Sequence, residues 1–352
     1  TPRERFGLLV IDEPQDRVPV YPLVTVHACR VAGITVREYV TDGVALARAQ
    51  LAAQERYGHD FISVFTEVGV VAEALGSRFE FPEDDLPFLD RPLWRDPGEA
   101  DDRVAVPERD GRLPVYLDAV RHAWEARGDR VPVLAFVPAP FTTAQQLVDT
   151  ETLLLALLDE AGPVRRLLDC ATRSVIALCR SVIRAGGLPV LVDPLASASV
   201  ISPGHYREFA LPATRTVIDY LHRWDLDIVL HVCGETEPIL GAMAETGADL
   251  LSLDRVDLGR AIAAVGDRCR IVGNYGTTDI WLGRPADIES GVVAMVAAGR
   301  ACPTGFVAAT GCEVPLETPA GNVDAFVRAA RDSGLNPGFG LPAHRQAGRV
   351  EG

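Results

Sequence analysis

The sequence predicts an α/β fold, a (β/α)8 TIM barrel, on three observations. Eight short apolar runs with the look of buried strands alternate with helical segments, and strand–helix alternation means a parallel sheet. Eight such units in 352 residues suit a closed barrel better than an open doubly wound sheet. No glycine-rich dinucleotide fingerprint follows the first run, which removes the main reason to prefer the open sheet.

Taken in order, Val18–Val24 reads as the first strand, ending near Thr25 and His27. Residues 42–57 carry apolar positions at helical spacing and stop at Tyr57-Gly58. Phe61–Phe65 is the second strand, running into Thr66-Glu67. Residues 80–112 are acidic and broken by prolines, and predict a surface insertion of loop with short helical pieces. Residues 114–127 return to helix. Val133–Val137 is the third strand, and Thr142 or Thr143 is placed to cap the helix after it. Residues 151–186 read as helical with a break at Gly162-Pro163. Leu188–Val192 is the fourth strand, ending at Asp193-Pro194, and Ser199–Trp224 holds one or two helices.

The fifth strand, from Asp227, delivers His231 and Cys233. The repeat then tightens: helix Glu237–Gly247, strand Leu250–Leu253, helix Leu258–Val265, strand Arg270–Asn274, helix Ile288–Arg300, strand Phe306–Ala309 and helix Asn322–Ser333. The expected organisation is one barrel domain over residues 1–340, with the insertion at about 80–112 and a C-terminal tail at 341–352.

Composition narrows the function classes. The net charge is −15 and the pI near 4.9, which argues against nucleic acid as a partner. All 34 basic residues are arginine; without lysine, Schiff-base chemistry and a P-loop lysine are excluded. No apolar run is long enough for a membrane span, and Thr1–Arg5 lacks a secretion-signal core, so a cytoplasmic enzyme is expected. The cysteine count, seven, is odd and gives no disulfide framework. Cys29, Cys170, Cys179, Cys269 and Cys302 read as buried small hydrophobes.

In a barrel of this kind the site lies at the C-terminal strand ends. The polar residues there are His27, Glu67, Thr142, Asp193, His231 with Cys233, Asp254, Asn274 and Cys312. Residues two apart on a strand share a face, so His231 and Cys233 can face one point, with Cys312 as a third group. One imidazole and two thiolates make an open zinc site with one position left for substrate. Glu67 or Glu73 is a candidate fourth ligand. Glu67 and Asp193 are candidate catalytic groups, and His27, Thr142, Asn274 and Tyr275 candidate substrate-binding ones. Plainer roles stand beside these: a helix cap for Glu67 or Asp193, backbone satisfaction for Asn274 and Tyr275, an ordinary buried histidine for His27. Strand alternation turns Glu313 away from the face of Cys312.

Several stretches carry a family resemblance. Thr1–Arg5, Asp16–Val20, Phe65-Thr66-Glu67 with Val70-Val71 and Ala74-Leu75-Gly76, Ala139–Thr142, Phe209–Pro212, and Gly311-Cys312-Glu313 with Pro315, Thr318-Pro319 and Asn322-Val323 together resemble the uroporphyrinogen decarboxylase superfamily. The likeness spans nearly all of residues 1–335. It is nearer to the branch of methylcobamide:thiol methyltransferases, typified by methylcobamide:coenzyme M methyltransferase. Glu67 stands where the decarboxylases carry a catalytic aspartate, and Cys312 where they carry a glycine-flanked histidine. Their paired-arginine loop after the first strand is missing from Val24–Arg30.

The resemblance implies a uroporphyrinogen decarboxylase-like barrel with His231, Cys233 and Cys312 as zinc ligands. It also implies a small thiol substrate activated as a nucleophile toward a methyl group from methylcobalamin or a methylated corrinoid protein. A homodimer is an admissible assembly. Two alternatives remain at this stage: a tetrapyrrole decarboxylase, and a non-catalytic zinc- or corrinoid-binding protein.

Overall fold

The computed structural model describes residues 1–159 and 161–336. Its ten strands are β1 (Val20–Leu23), β2 (Ile62–Val64), β3 (Arg78–Glu80), β4 (Phe88–Arg91), β5 (Val133–Pro138), β6 (Leu188–Val192), β7 (Val229–Glu235), β8 (Leu250–Arg255), β9 (Arg270–Tyr275) and β10 (Phe306–Glu313). Eight of them form one sheet in the order β1-β10-β9-β8-β7-β6-β5-β2, with every ladder parallel. Helices intervene between the strands, giving the predicted (β/α)8 barrel in a nearly closed form. The seam lies between β1 and β2, where no ladder runs among the described residues. It is bridged by Asp60: its N–H donates to Val20 O at 2.9 Å and its carboxylate accepts from Val20 N at 2.7 Å. The same carboxylate takes Arg5 at 2.8 Å and Arg17 at 2.7 Å, all buried.

Alternation along each strand sorts the core into two layers. Tyr21, Leu23, Phe61, Phe65, Leu134, Phe136, Val190, Val192, Val229, Leu250, Val272, Val307 and Ala309 fill the barrel interior. The intervening positions, such as Val20, Val64, Ala135, Leu230, Leu251 and Ile271, pack outward against the helices. Each fully buried large apolar side chain contributes about 1.5–3 kcal/mol, so the interior layer is a main source of stability.

Most expected elements stand within a residue or two of their predicted ends, and Leu188–Val192 and Leu258–Val265 match in full. Several expectations need correction. The helix Pro140–Val148 starts after Ala139 with no side chain of its own as cap; Thr142 and Thr143 lie inside its first turn, too late to serve. The expected division into two helices is present, Thr150–Asp159 and Ala161–Arg184, but it falls just ahead of Gly162-Pro163; both residues fit the first turn of the second helix, where proline loses no intrahelical bond. The insertion contains an antiparallel hairpin, β3–β4, as well as loop and a short helical turn at Pro97–Glu99. Its strands are too short and exposed to show a period-2 signal. Short helices at Pro2–Val10, Ala28–Ala32, Val36–Thr41 and Thr277–Leu282 were not anticipated. The tail expected at 341–352 lies outside the described residues.

The five cysteines read as core are buried, whereas Cys233 and Cys312 are half-buried. No described helix is long and apolar enough to cross a membrane.

Candidate metal centre

The fifth and eighth barrel strands, β7 and β10, bring three soft ligands together. Val229 and His231 point into the barrel and Leu230 outward, so Cys233 falls on the inward side two residues further on. Cys312 approaches from β10. One ligand atom from each of His231, Cys233 and Cys312 lies within 4.8 Å of the others, and Cys312 Sγ is 3.7 Å from His231 Nε2. Nitrogen and sulfur bound tetrahedrally to one zinc at about 2.0–2.3 Å stand roughly 3.5 Å apart, so the spacing fits a shared ion.

The ionisation of the three groups is coupled. Burial disfavours charge on His231, but the neighbouring Cys312 sulfur outweighs it and raises the imidazole pKa. A hydrogen bond from Cys312 holds the Cys233 thiol below its ordinary value. The same bond, with burial, pushes Cys312 well above it. The trio is sharing protons among donors that a soft cation would replace. His231 Nδ1 lies 3.0 Å from Ser252 Oγ; a proton there leaves the Nε2 lone pair facing the sulfurs.

Both cysteines sit where strand register slips. Between β7 and β8 the pairing runs His231↔Ser252 and Val232↔Leu253, then shifts before Glu235↔Arg255. Gly234 occupies this irregularity at φ +77, and a Cβ there would lie 2.9 Å from Ser199 Oγ. Its N–H donates to Asp254 Oδ2 at 2.8 Å. Between β1 and β10 the register slips from Tyr21↔Ala309 to Leu23↔Glu313. There Thr310 Oγ1 accepts from Leu23 N at 3.0 Å and donates to Cys312 O at 2.7 Å. Glu313 pairs with the Thr25 hydroxyl, away from the ligand face, and burial raises its pKa.

The remaining candidates are placed around this centre rather than in it. Glu67 is gripped by Arg112 at 2.7 and 3.1 Å. Glu73 takes the same guanidinium at 2.7 Å, and Arg112 also stacks on Phe81. Burial raises the Glu73 pKa against the pull of Arg112. Neither carboxylate belongs to the ligand cluster. Asp193 Oδ1 accepts from Thr142 N at 2.9 Å and Thr142 Oγ1 at 2.7 Å, so it caps the helix Pro140–Val148 from a neighbouring strand. Burial pushes its pKa up to about 7 despite those bonds.

His27 is buried between Leu316 O and the Tyr57 hydroxyl, at 3.2 and 2.9 Å, on the helix side of β1. Asn274 Nδ2 donates to Asp254 O and Val256 O at 3.0 and 2.7 Å, tying the end of β9 to β8. Tyr275, one residue on, faces outward and packs on Phe326. Sequence reasoning gave no role to Ser252, Asp254, Thr310 or Arg112. The usable signal for Ser252 was parity: it holds the inward position beside His231 on the next strand.

The fold and the ligand set together define a barrel enzyme with its polar groups at the C-terminal strand ends. The profile of the family described as Uroporphyrinogen decarboxylase (URO-D) matches residues 1–333, and the chain belongs to that family. It is similar to the Methylated-thiol--coenzyme M methyltransferase of Methanosarcina mazei, 26% identical over 83% of this chain and 78% of that protein. It is as similar to the Methylcobamide:CoM methyltransferase MtbA of the same organism, 26% identical over 94% and 98%. A Uroporphyrinogen decarboxylase of Hydrogenovibrio crunogenus is also 26% identical, over 96% and 98%. Among solved structures, a methyltransferase from Methanosarcina mazei superposes with a TM-score of 0.86 at 26% identity, covering 94% of this chain and 98% of that one.

Proposed function

We propose that this chain is a zinc-dependent methyltransferase that accepts a methyl group onto a small thiol, with a methylcorrinoid as donor. The observation that carries this reading is the convergence of His231, Cys233 and Cys312 at the barrel mouth. Two relatives whose names specify methyl transfer to coenzyme M support it. The decarboxylases are equally similar in sequence, and the donor set favours the methyltransferase reading: two thiols and an imidazole suit a soft metal.

Zinc held there would lower the pKa of a thiol in its open position and keep that sulfur available as a nucleophile. The chain's own part is to hold the three donors, with Nε2 of His231 aimed inward by the partner on Nδ1. The apolar interior beneath His231, lined by Tyr21, Phe136 and Val229, excludes water from below. Glu67 and Asp193 keep the mouth in shape: Glu67 anchors Arg112, and Asp193 anchors the helix that begins at Pro140. We place this activity on a single barrel domain spanning residues 1–340 and, since all seven cysteines are free thiols, in a reducing cytoplasm.

Metal analysis with a thiol-methylation assay tests the reading. About one zinc per chain, lost together with methyl transfer in Cys312→Ala while circular dichroism is unchanged, is the expected result. Metal-free protein that consumes uroporphyrinogen would instead make it a decarboxylase. A zinc protein that turns over no thiol with methylcobalamin would leave only a binding role.

A further inference from the structure

Each of the three ligands, or the residue beside it, is bonded by one side chain from a neighbouring position. His231 Nδ1 meets Ser252 Oγ at 3.0 Å. Ser252 sits directly across the β7–β8 ladder, buried at 3% exposure, so the imidazole has one ring orientation available. Cys233 precedes the point where that ladder loses register. A bulge frees one backbone N–H and re-aims the adjoining side chain. The freed donor is Gly234 N–H, and Asp254 Oδ2 takes it at 2.8 Å. The other oxygen of Asp254 lies against Gly311, where a Cβ would come within 2.7 Å of it. One carboxylate is thus wedged between the residue after Cys233 and the residue before Cys312.

Cys312 lies in the second slipped register. Thr310 Oγ1 stands in for the missing ladder there, bonding Leu23 N–H on one side and Cys312 C=O on the other at 3.0 and 2.7 Å. Cys233 lies inward by strand alternation and the β1–β10 slip lets Cys312 join it, and a slipped ladder is locally short of hydrogen bonds. Without substitutes, Cys233 and Cys312 would hang on loose strand ends. A loosely held ligand costs metal affinity, because binding must then order it.

We infer that Ser252, Asp254 and Thr310 are the positioning residues of the metal centre, one for each ligand. This rests on the zinc reading given above. They hold the geometry before the metal arrives, so the site is pre-formed rather than assembled by the ion. Ser252-x-Asp254 on β8 mirrors His231-x-Cys233 on β7, and the shared period of two is what lets a single strand serve two ligands.

The experiment measures zinc affinity by chelator competition and records the absorption spectrum of the cobalt-substituted protein. The proteins are wild type, Ser252→Ala, Asp254→Ala, Asp254→Asn, Thr310→Val and Thr310→Ser. Loss of a group that orients a metal ligand typically weakens binding by about 10–100-fold. That loss is expected for Ser252→Ala, Asp254→Ala and Thr310→Val, with an altered cobalt spectrum. Thr310→Ser and Asp254→Asn retain an acceptor in place and should recover most of the affinity. A purely structural role would lower the thermal stability of the metal-free chain equally in Thr310→Val and Thr310→Ser, or leave the cobalt spectrum unchanged. Wild-type affinity in both Ser252→Ala and Thr310→Val overturns the inference while leaving the zinc site standing. Failure of the wild-type chain to bind zinc at all overturns the zinc reading itself.

Discussion

The two halves of the barrel wall use similar strands to opposite ends. On β1, β5 and β6 the inward positions are Tyr21, Leu23, Leu134, Phe136, Val190 and Val192, with Phe65 just past β2, and the β5–β6 ladder runs without a slip. On the opposite wall, β7 and β8 turn His231, Cys233, Ser252 and Asp254 toward the mouth, and β7 slips against β8 as β10 does against β1. Regular register with apolar filling gives stability and little else. Irregular register leaves backbone donors that side chains must satisfy, and on β10 the same irregularity lets Cys312 meet His231 and Cys233. The candidate metal centre lies where the ladder is least regular.

Breaking each half should therefore move different observables. The largest effect belongs to the ligand half: His231→Ala should abolish stoichiometric zinc in metal analysis, with little change in the denaturant midpoint of the metal-free chain. At the seam, Asp60→Ala should lower stability by about 3–5 kcal/mol, because it leaves Arg17 buried without its carboxylate and Arg5 with Asp16 alone. Phe136→Ala should cost a similar amount, about 3–5 kcal/mol, through lost burial and the cavity left behind. Urea titration reads both, and zinc stoichiometry of the folded fraction should stay at the wild-type value.

The smallest effect sharpens the comparison through pH. His59 is fully buried beside Asp60, and neither ring nitrogen has a hydrogen-bond partner. Burial lowers its pKa to about 4. The unfolded chain then binds a proton at about 6.5 that the folded chain refuses until about 4, so stability falls as pH drops through that window. His59→Phe should remove this part of the acid sensitivity, and at pH 7 should leave stability unchanged or slightly higher, since it replaces unpaired polar atoms by apolar ones. Denaturation curves of the two proteins at pH 7 and pH 5 measure the difference; equal slopes against pH would show that His59 charges freely in the folded chain.

How much of this was legible beforehand follows from the same contrast. Alternation of apolar runs and helical stretches located every barrel strand, because burial on both faces forces a continuous apolar signal. The convergence of His231, Cys233 and Cys312 was legible because His231 and Cys233 obey the strand period and Cys312 follows a matching run. The register slips were not, because composition does not encode how two strands align. The contacts of Ser252, Asp254 and Thr310 depend on that alignment, so Ser252 and Thr310 read as ordinary strand residues and Asp254 only as one polar strand end among several. The grip of Arg112 on Glu67 joins positions 45 apart in the chain, a distance at which no local pattern operates. Asp193 likewise looked like the cap of its own helix and proved to serve another, the one beginning at Pro140.

The span between the ligands has a thermodynamic side. His231 and Cys312 stand 81 positions apart, with β8, β9 and their helices in between. A metal gripping both ends would act as a removable rivet across that long loop, coupling occupancy to the cohesion of the C-terminal half. At a free ion concentration a thousand times the dissociation constant, such coupling contributes about 4 kcal/mol. Chelation would then loosen the barrel from one side, and the metal content of a preparation would set its melting temperature.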